Sequence, residues 1–243
     1  MVVVGSAIFG HANIHAATRK FKRIFRDFGK SKKKIVIFAN GDADDMDFFR
    51  QVAEGADFVI CCDGGARYAA KLGIAAHLIV GDLDSLNEGD KAGFVRQNVE
   101  FEEYHTEKNA TDLELAVSAA LQRNPDEIVI LGGFGGRADH FLGNIQTLVM
   151  ATKADTKAFL ASRTTKIFVI DKFAEIPRED YDFISLVPLE AEAKGITTTG
   201  LKYPLCSEAL RIGTTVGISN EFVDFVATVA VDEGLLLAIC TKI

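Results

Sequence analysis

Two carboxylates one residue apart, at the end of an apolar run, are the first sign of chemistry in the chain. The run is His77-Leu78-Ile79-Val80-Gly81-Asp82-Leu83-Asp84-Ser85. Leu78, Ile79 and Val80 put apolar side chains on both faces of a strand, which predicts a central, buried one. Gly81 lets the backbone turn sharply, and Asp82 and Asp84 follow at the carboxyl end of the strand. Open α/β sheets place their ligand crevice there. Two aspartates at this spacing can converge in a turn. Convergent carboxylates repel unless a cation joins them, and Mg2+ with a polyphosphate meets that need.

Three more loops carry acids or glycines: Asp63-Gly64-Gly65, Glu107-Lys108-Asn109-Ala110-Thr111-Asp112, and Gly132-Gly133-Phe134-Gly135-Gly136-Arg137-Ala138-Asp139-His140. All follow parallel strands or their helices, so all emerge on one edge of the sheet. Each loop also has a plain structural reading. Asp63-Gly64 suits a simple turn. Thr111 and Glu114 suit a capping box, with Asp112 favoured by the helix dipole. The glycine loop is the hardest to explain by structure alone. It joins a strand to a helix, so its N–H groups can face an anion, with Arg137 beside them. Asn144 falls one turn beyond His140, on the same helix face. His140 by itself also reads as a hydrogen-bonded structural histidine.

Two other chemistries compete for these loops. Gly133-Phe134-Gly135-Gly136-Arg137-Ala138 fits the dinucleotide pattern G-x-G-x-x-A, which would make the protein a nicotinamide-dependent oxidoreductase. Little sheet follows it, however, and no acid clearly ends the next strand. A hydride-transfer enzyme also has no use for Asp82 and Asp84. An aspartyl-nucleophile phosphatase would place its hydroxyl residue two positions after the second Asp, whereas Ser85 directly follows Asp84.

The elements that position these loops can be read in order. Strands are predicted at Lys34–Asn40, Phe58–Cys62, Leu78–Val80, Val99–His105 (edge-like), Glu127–Leu131 and Lys157–Ala161. Helices are predicted at about Met46–Glu54, Ala66–Leu72, Glu88–Gln97, from Thr111, and at Phe141–Lys153. In the helix from Thr111, Leu113, Ala116, Val117, Ala120 and Leu121 form one apolar stripe. Alternating strands and helices predict a Rossmann-like parallel sheet with helices on both faces. The pattern changes near Ser162. Short β runs follow at Ile167–Asp171, Asp182–Val187, Ile196–Thr199, Thr214–Ser219, Phe222–Val231 and Leu235–Cys240, a small antiparallel sandwich or barrel. The division is therefore a basic N-terminal extension (1–33), an α/β domain (34–162) and a β domain (163–243).

Bulk properties narrow the partners. The net charge of −7 argues against general nucleic-acid binding. The basic residues cluster instead. Residues 1–34 hold nine Lys or Arg against the single acid Asp27, which reads as a surface extension or a basic, transit-like segment. No apolar run reaches membrane-spanning length. Cys61, Cys62, Cys206 and Cys240 have neither metal nor disulfide-scaffold spacing, which suits a reducing cytoplasm.

Together the loops resemble those of the thiamin pyrophosphokinase family. The motifs are Asp63-Gly64-Gly65-Ala66, Gly81-Asp82-Leu83-Asp84-Ser85, Glu107-Lys108-x-x-Thr111-Asp112 and Gly135-Gly136-Arg137-x-Asp139-His140-x-x-x-Asn144. Gly200-Leu201-Lys202-Tyr203-Pro204-Leu205 and Ile218-Ser219-Asn220-Glu221 continue the likeness, which spans Lys34 to Cys240. The resemblance implies transfer of pyrophosphate from ATP to the hydroxyl of thiamin, giving thiamin diphosphate and AMP, with Mg2+. It implies a homodimer whose active site lies between the α/β domain of one subunit and the β domain of the other. By the same resemblance, Asp82, Asp84 and Asp112 surround metal and phosphates, with Asp63 close by. Gly64, Gly65, Ser85, Lys108, Thr111, Arg137, His140 and Asn144 belong to the binding loops. Asp139 lies near thiamin, Ser219 and Asn220 reach it from the β domain, and Tyr203 frames its rings. Without the family, Ser219-Asn220 reads as a hairpin tip. Many relatives carry a carboxylate where this chain has Asn109, which would lower metal affinity or turn that position to hydrogen bonding. A non-catalytic thiamin- or nucleotide-binding protein on the same scaffold is the alternative that Asn109 suggests.

Overall fold

The computed structural model describes residues 32–243 except 44, 85, 87 and 106–108. The basic segment, apart from its last residues, and the site candidates Ser85 and Lys108 lie outside the described residues. Lys34–Ile243 form one compact unit.

Six strands come first: β1 (Lys34–Phe38), β2 (Phe58–Cys62), β3 (Leu78–Gly81), β4 (Glu100–Glu103), β5 (Glu127–Leu131) and β6 (Lys157–Ala161). They pair in parallel in the order β6-β5-β1-β2-β3-β4. The helices between them are α1 (Met46–Ala53), α2 (Ala66–Leu72), α3 (Glu88–Arg96), α4 (Asp112–Gln122) and α5 (Ala138–Lys153). Alternation along each strand feeds two cores. Val36, Phe38, Val59 and Cys61 pack with Phe49 of α1, Tyr68 of α2 and Phe94 of α3. Ile35, Ile37, Ile60 and Ile130 pack with Val117 of α4 and Leu148 of α5 on the other face. That double burial is why these strands carry so few polar residues.

Local signals set the helix ends. Asp45 accepts from Phe48 N–H at 2.9 Å and starts α1. Thr111 Oγ1 accepts from Glu114 N–H at 3.2 Å and starts α4. Gly73 ends α2 in the left-handed conformation, φ 66°. Helix α5 starts at Ala138, earlier than Phe141, so Asp139 and His140 belong to its first turn rather than to the glycine loop.

After β6 the same sheet continues in antiparallel sense. The strands are β7 (Thr165–Ile170), β8 (Phe173–Pro177), β9 (Phe183–Pro188), β10 (Glu192–Thr199), β11 (Glu208–Arg211), β12 (Asn220–Glu221), β13 (Val226–Ala230) and β14 (Leu236–Thr241). β7, β14, β9 and β12 extend the first sheet, while β11-β10-β13-β8 form a second one. Ile184, Leu186 and Ala238 of the first sheet share a core with Ile196, Leu210 and Val229 of the second.

The predicted strand Thr214–Ser219 is instead a run of turns. Gly213 and Gly217 take φ of 91° and 99°, and Val216 and Ile218 face outward. Their alternation therefore reflects no buried face. The predicted strand Phe222–Val231 is broken. Val223 N–H bonds to Gly200 O at 3.0 Å, and regular pairing resumes only at Val226. Strands β8 and β11 were not legible in the sequence because most of their side chains are exposed or half-exposed.

The loops after β1 and β5 are zipped together. Gly41 N–H bonds to Gly132 O at 2.7 Å and Asp42 N–H to Phe134 O at 2.9 Å. A Cβ on Gly41 would lie 2.2 Å from Phe134 O and 2.4 Å from Gly132 O. Gly41→Ala must therefore push these backbone segments away from each other. The expected cost is about 1–3 kcal/mol, as for other overpacked sites, measured as a fall in the urea midpoint at unchanged slope.

Candidate functional site

Three carboxylates meet at the carboxyl ends of β2 and β3. Asp63, Asp82 and Asp84 each offer one oxygen, and these lie within 4.8 Å of one another. Asp112 joins them from the first turn of α4, its Oδ1 3.4 Å from where a Cβ on Gly81 would sit. Residues far apart in sequence thus converge, because parallel strands open their loops on one rim.

The backbone works to achieve this. Asp63 has φ 34°, Leu83 φ 59° and Gly81 φ 152°, all in the region that L side chains avoid. A Cβ on Gly81 would stand 2.9 Å from Asp63 Cβ, so only glycine allows the two loops to touch. The left-handed Leu83 reverses the chain between Asp82 and Asp84. Its side chain is buried in the core under β2 and β3 and so anchors the turn. Asp84 N–H reaches Asp82 Oδ1 at 3.4 Å.

Asp63 is buried, and its Oδ1 has no hydrogen-bond partner among the described residues. A buried carboxylate oxygen without a donor is costly. A divalent cation on these oxygens would remove that cost, and oxygen-only ligation suits a hard ion such as Mg2+. The donor set therefore fits the metal that the sequence suggested.

The glycine loop and the start of α5 carry a separate pair. Arg137 donates from Nε to Asp139 Oδ1 at 3.1 Å and from Nη2 to Oδ2 at 2.6 Å. The guanidinium holds the Asp139 carboxyl down at about 2, and the carboxylate raises the Arg137 pKa in turn. His140 is exposed beside them. Asn144 Nδ2 donates to Gly133 O at 2.8 Å and so braces the glycine loop.

Tyr203, Ser219 and Asn220 form a group of their own. Asn220 is buried, accepts from Tyr203 N–H at 3.0 Å and donates to Tyr203 O at 2.7 Å. Ser219 is exposed with φ 54°, and its N–H bonds to Ser185 Oγ at 2.9 Å. Tyr203 is 59% exposed, so its ring is available to a ligand or to another chain. Gly64 and Gly65 are buried beneath the rim, where a Cβ on Gly65 would strike Phe38 O at 2.2 Å. Thr111 spends its hydroxyl on the helix cap. Asn109 is exposed near the start of α4.

Sequence reasoning missed the loop after β1. Asn40, Gly41 and Asp42 stand on the same rim, and Asp42 Oδ2 lies 2.6 Å from the Cβ position of Gly135. The signal was present, since an apolar strand running into Gly41-Asp42 repeats the form of Val80-Gly81-Asp82.

The molecule is thus a mixed α/β protein whose parallel strands carry a carboxylate cluster suited to a cation with phosphates, next to a separate antiparallel sheet. A family model described as thiamin pyrophosphokinase, catalytic domain, matches residues 49–160, and one described as thiamin pyrophosphokinase, vitamin B1 binding domain, matches residues 174–236. The thiamine pyrophosphokinase of Bacillus subtilis (strain 168) is 35% identical over 179 residues, covering 73% of this chain and 84% of that protein. The crystal structure of a Bacillus subtilis thiamine pyrophosphokinase matches with a TM-score of 0.77 at 31% identity, over 86% of this chain and 99% of that one. A Geobacillus thermodenitrificans thiamin pyrophosphokinase matches with a TM-score of 0.76 at 26% identity, over 86% and 98%. The chain belongs to the thiamin pyrophosphokinase family.

The Arg137–Asp139 pair makes a local prediction. Its folded-state carboxyl is depressed, so the pairing is intact at neutral pH and is lost as pH falls towards 2. In Arg137→Gln the Asp139 carboxyl should return to about 3.9, the ordinary value, in an NMR titration. Both side chains are exposed, so the melting temperature should barely move.

Proposed function

We propose that this protein is a working thiamin pyrophosphokinase, which transfers the pyrophosphoryl group of ATP to the hydroxyl of thiamin and releases AMP. The observation that carries this reading is the convergence of Asp63, Asp82 and Asp84 within 4.8 Å, with Asp112 beside them, in a chain of this family. Asp63, Asp82 and Asp84 would hold Mg2+, with Asp112, which the family likeness counts among the metal ligands, beside them. The ion would neutralise phosphate charge and draw electrons from the phosphorus under attack.

The other residues bind and orient. Attack by an alcohol on phosphorus needs alignment and charge neutralisation more than covalent help. Arg137, whose Nε and Nη2 are held by Asp139, offers its remaining Nη1–H donors to phosphate oxygens or to the AMP leaving group. Asp139 offers a carboxylate to the cationic thiazolium or the aminopyrimidine. Asn220 fixes the backbone of Tyr203, so its role in thiamin binding is to place that ring, with Ser219 adjacent. The glycine loop lets the backbone approach the ligand, Gly64 and Gly65 leave room for the neighbouring β1 loop beneath it, and Ser85, Lys108 and His140 complete the binding loops.

The site is completed by a second copy. Tyr203, Val216, Ile218, Val223 and Phe225 are exposed apolar side chains between residues 203 and 225, and Phe225 is 91% exposed. Burying them in a homodimer would carry the Tyr203–Asn220 group towards the acidic rim of the partner. The finer architecture in this reading is a Rossmann-like domain (34–162) followed by a β sandwich (163–243). It is supported by the two-faced burial of β1 and β2 and by the core shared between the sheets. A reducing, cytoplasmic setting is supported by Cys61 and Cys240, buried free thiols whose pKa burial pushes up to about 12. Among the described residues no helix is long and apolar enough to cross a membrane.

AMP release on mixing the protein with ATP, Mg2+ and thiamin tests the reading, and no release would remove it in favour of a binding protein. Asp84→Asn should cut that release by at least about 100-fold, as loss of a group at the charge centre does. Its melting temperature should hold or rise slightly, because one repelling charge is gone. Unfolding of this variant would mean that the residue serves the fold instead. Phe225→Glu should give a monomer by sedimentation and raise the thiamin KM more than the ATP KM; a dimer with unchanged KM values would refute the shared site.

A further inference from the structure

Asn40 is the residue on the rim for which neither the family likeness nor the fold supplies a task. It follows β1 by two residues and lies outside the residues that the family models match. Its side chain is exposed, and its Oδ1 and Nδ2 lie 2.5 and 2.7 Å from where a Cβ on Gly64 would be. The amide therefore lies flat against the Asp63-Gly64 turn, in space that only glycine leaves open. Among the described residues the amide makes no hydrogen bond, although the main chain around it is tightly held. Tyr68 OH donates to Gly41 O, Arg67 Nη2 reaches Asn40 O at 3.5 Å, and Gly41 and Asp42 are tied to the glycine loop.

Position gives this amide a use. The strand order is β5-β1-β2-β3, so the β1 loop lies between the glycine loop and the carboxylate cluster. Three strand spacings of about 4.8 Å separate β5 from β3, a gap of about 14 Å. A nucleotide whose phosphates sit at Asp82 and Asp84 and which also meets Arg137 must cross that gap over Asn40. Its phosphates need donors there. Asp42 and Asp63, the acids nearest this point, cannot donate when ionised, whereas an amide N–H can.

We infer that Asn40 is a further ligand-binding residue, whose Nδ2 donates to a phosphate oxygen of the nucleotide midway between the carboxylate cluster and the glycine loop. Gly64 is glycine so that this amide can stand there. The inference rests on the nucleotide reading above but not on turnover.

Calorimetric binding of a non-hydrolysable ATP analogue with Mg2+ tests it. A hydrogen bond to a charged group is worth enough that Asn40→Ala should weaken binding about 10-fold, and Asn40→Asp, which adds repulsion, about 100-fold. Melting temperatures should stay near the wild type, because the side chain is exposed. Gly64→Ala should displace the amide and weaken binding like Asn40→Ala, yet add nothing further in the Asn40→Ala background. Wild-type affinity in both Asn40 variants would overturn the role of Asn40 and leave the family activity standing if the wild type still forms AMP. A wild-type chain that binds no nucleotide would overturn both.

Discussion

Mutual repulsion among carboxylates is the constraint around which this molecule is built. Oxygens of Asp63, Asp82 and Asp84 come within 4.8 Å of one another, and like charges that close repel. Left to relax, such side chains would turn apart into water. Asp63 cannot, because it is buried, and the turn around Leu83 keeps Asp82 and Asp84 beside it. β2 and β3 are buried on both faces, Gly81 allows the Asp63 turn to press against it, and Leu83 is anchored in the core. The sheet thus holds like charges together, an arrangement that a bound cation would make favourable.

The left-handed residues carry the same lesson. Leu83 is not a residue that visits positive φ for convenience, and Asp63, a type that tolerates it, does so while buried. Both flank the carboxylate cluster, and both belong to turns pinned by buried neighbours. Elsewhere the strained positions are mostly Asn, Asp or Gly at turns and helix ends, such as Asn98, Asn124 and Asp155. Glu179, Ser207 and Ser219 also take positive φ, so Leu83 is distinguished by its buried, branched side chain and its place between two of the clustered carboxylates.

What the sequence disclosed follows from burial. β1, β2, β3 and β5 are apolar on both faces, and they were legible to within a residue or two. The acidic loops were legible too, since a parallel sheet must bring them to one rim. The C-terminal half was less so. Val216 and Ile218 alternate like a strand but point outward, while β8 and β11 have few buried residues to announce them. Pattern reports burial, and where apolar residues are exposed for another purpose it misleads. Asn220 shows a third case. Its residue type suited a hairpin tip, and the family likeness suited a ligand contact. The structure gives its amide to the backbone of Tyr203, which couples the two motifs of that half.

Topology explains why the carboxylate cluster sits off-centre. The chain runs outward from β1 to β4 and then returns to β5 on the other side of β1. The usual crevice of such sheets opens at that reversal, between the loops after β1 and β5. In this chain two backbone hydrogen bonds, Gly41 to Gly132 and Asp42 to Phe134, close that gap. Neither Gly41 nor Gly132 could carry a side chain where the loops meet, because a Cβ on either would collide with backbone oxygens. The floor between the β1 and β5 loops is therefore main chain, and the carboxylates gather beyond it at β2 and β3. A ligand on this rim would therefore lie across the β1 loop, since the cleft beside it is closed by these bonds.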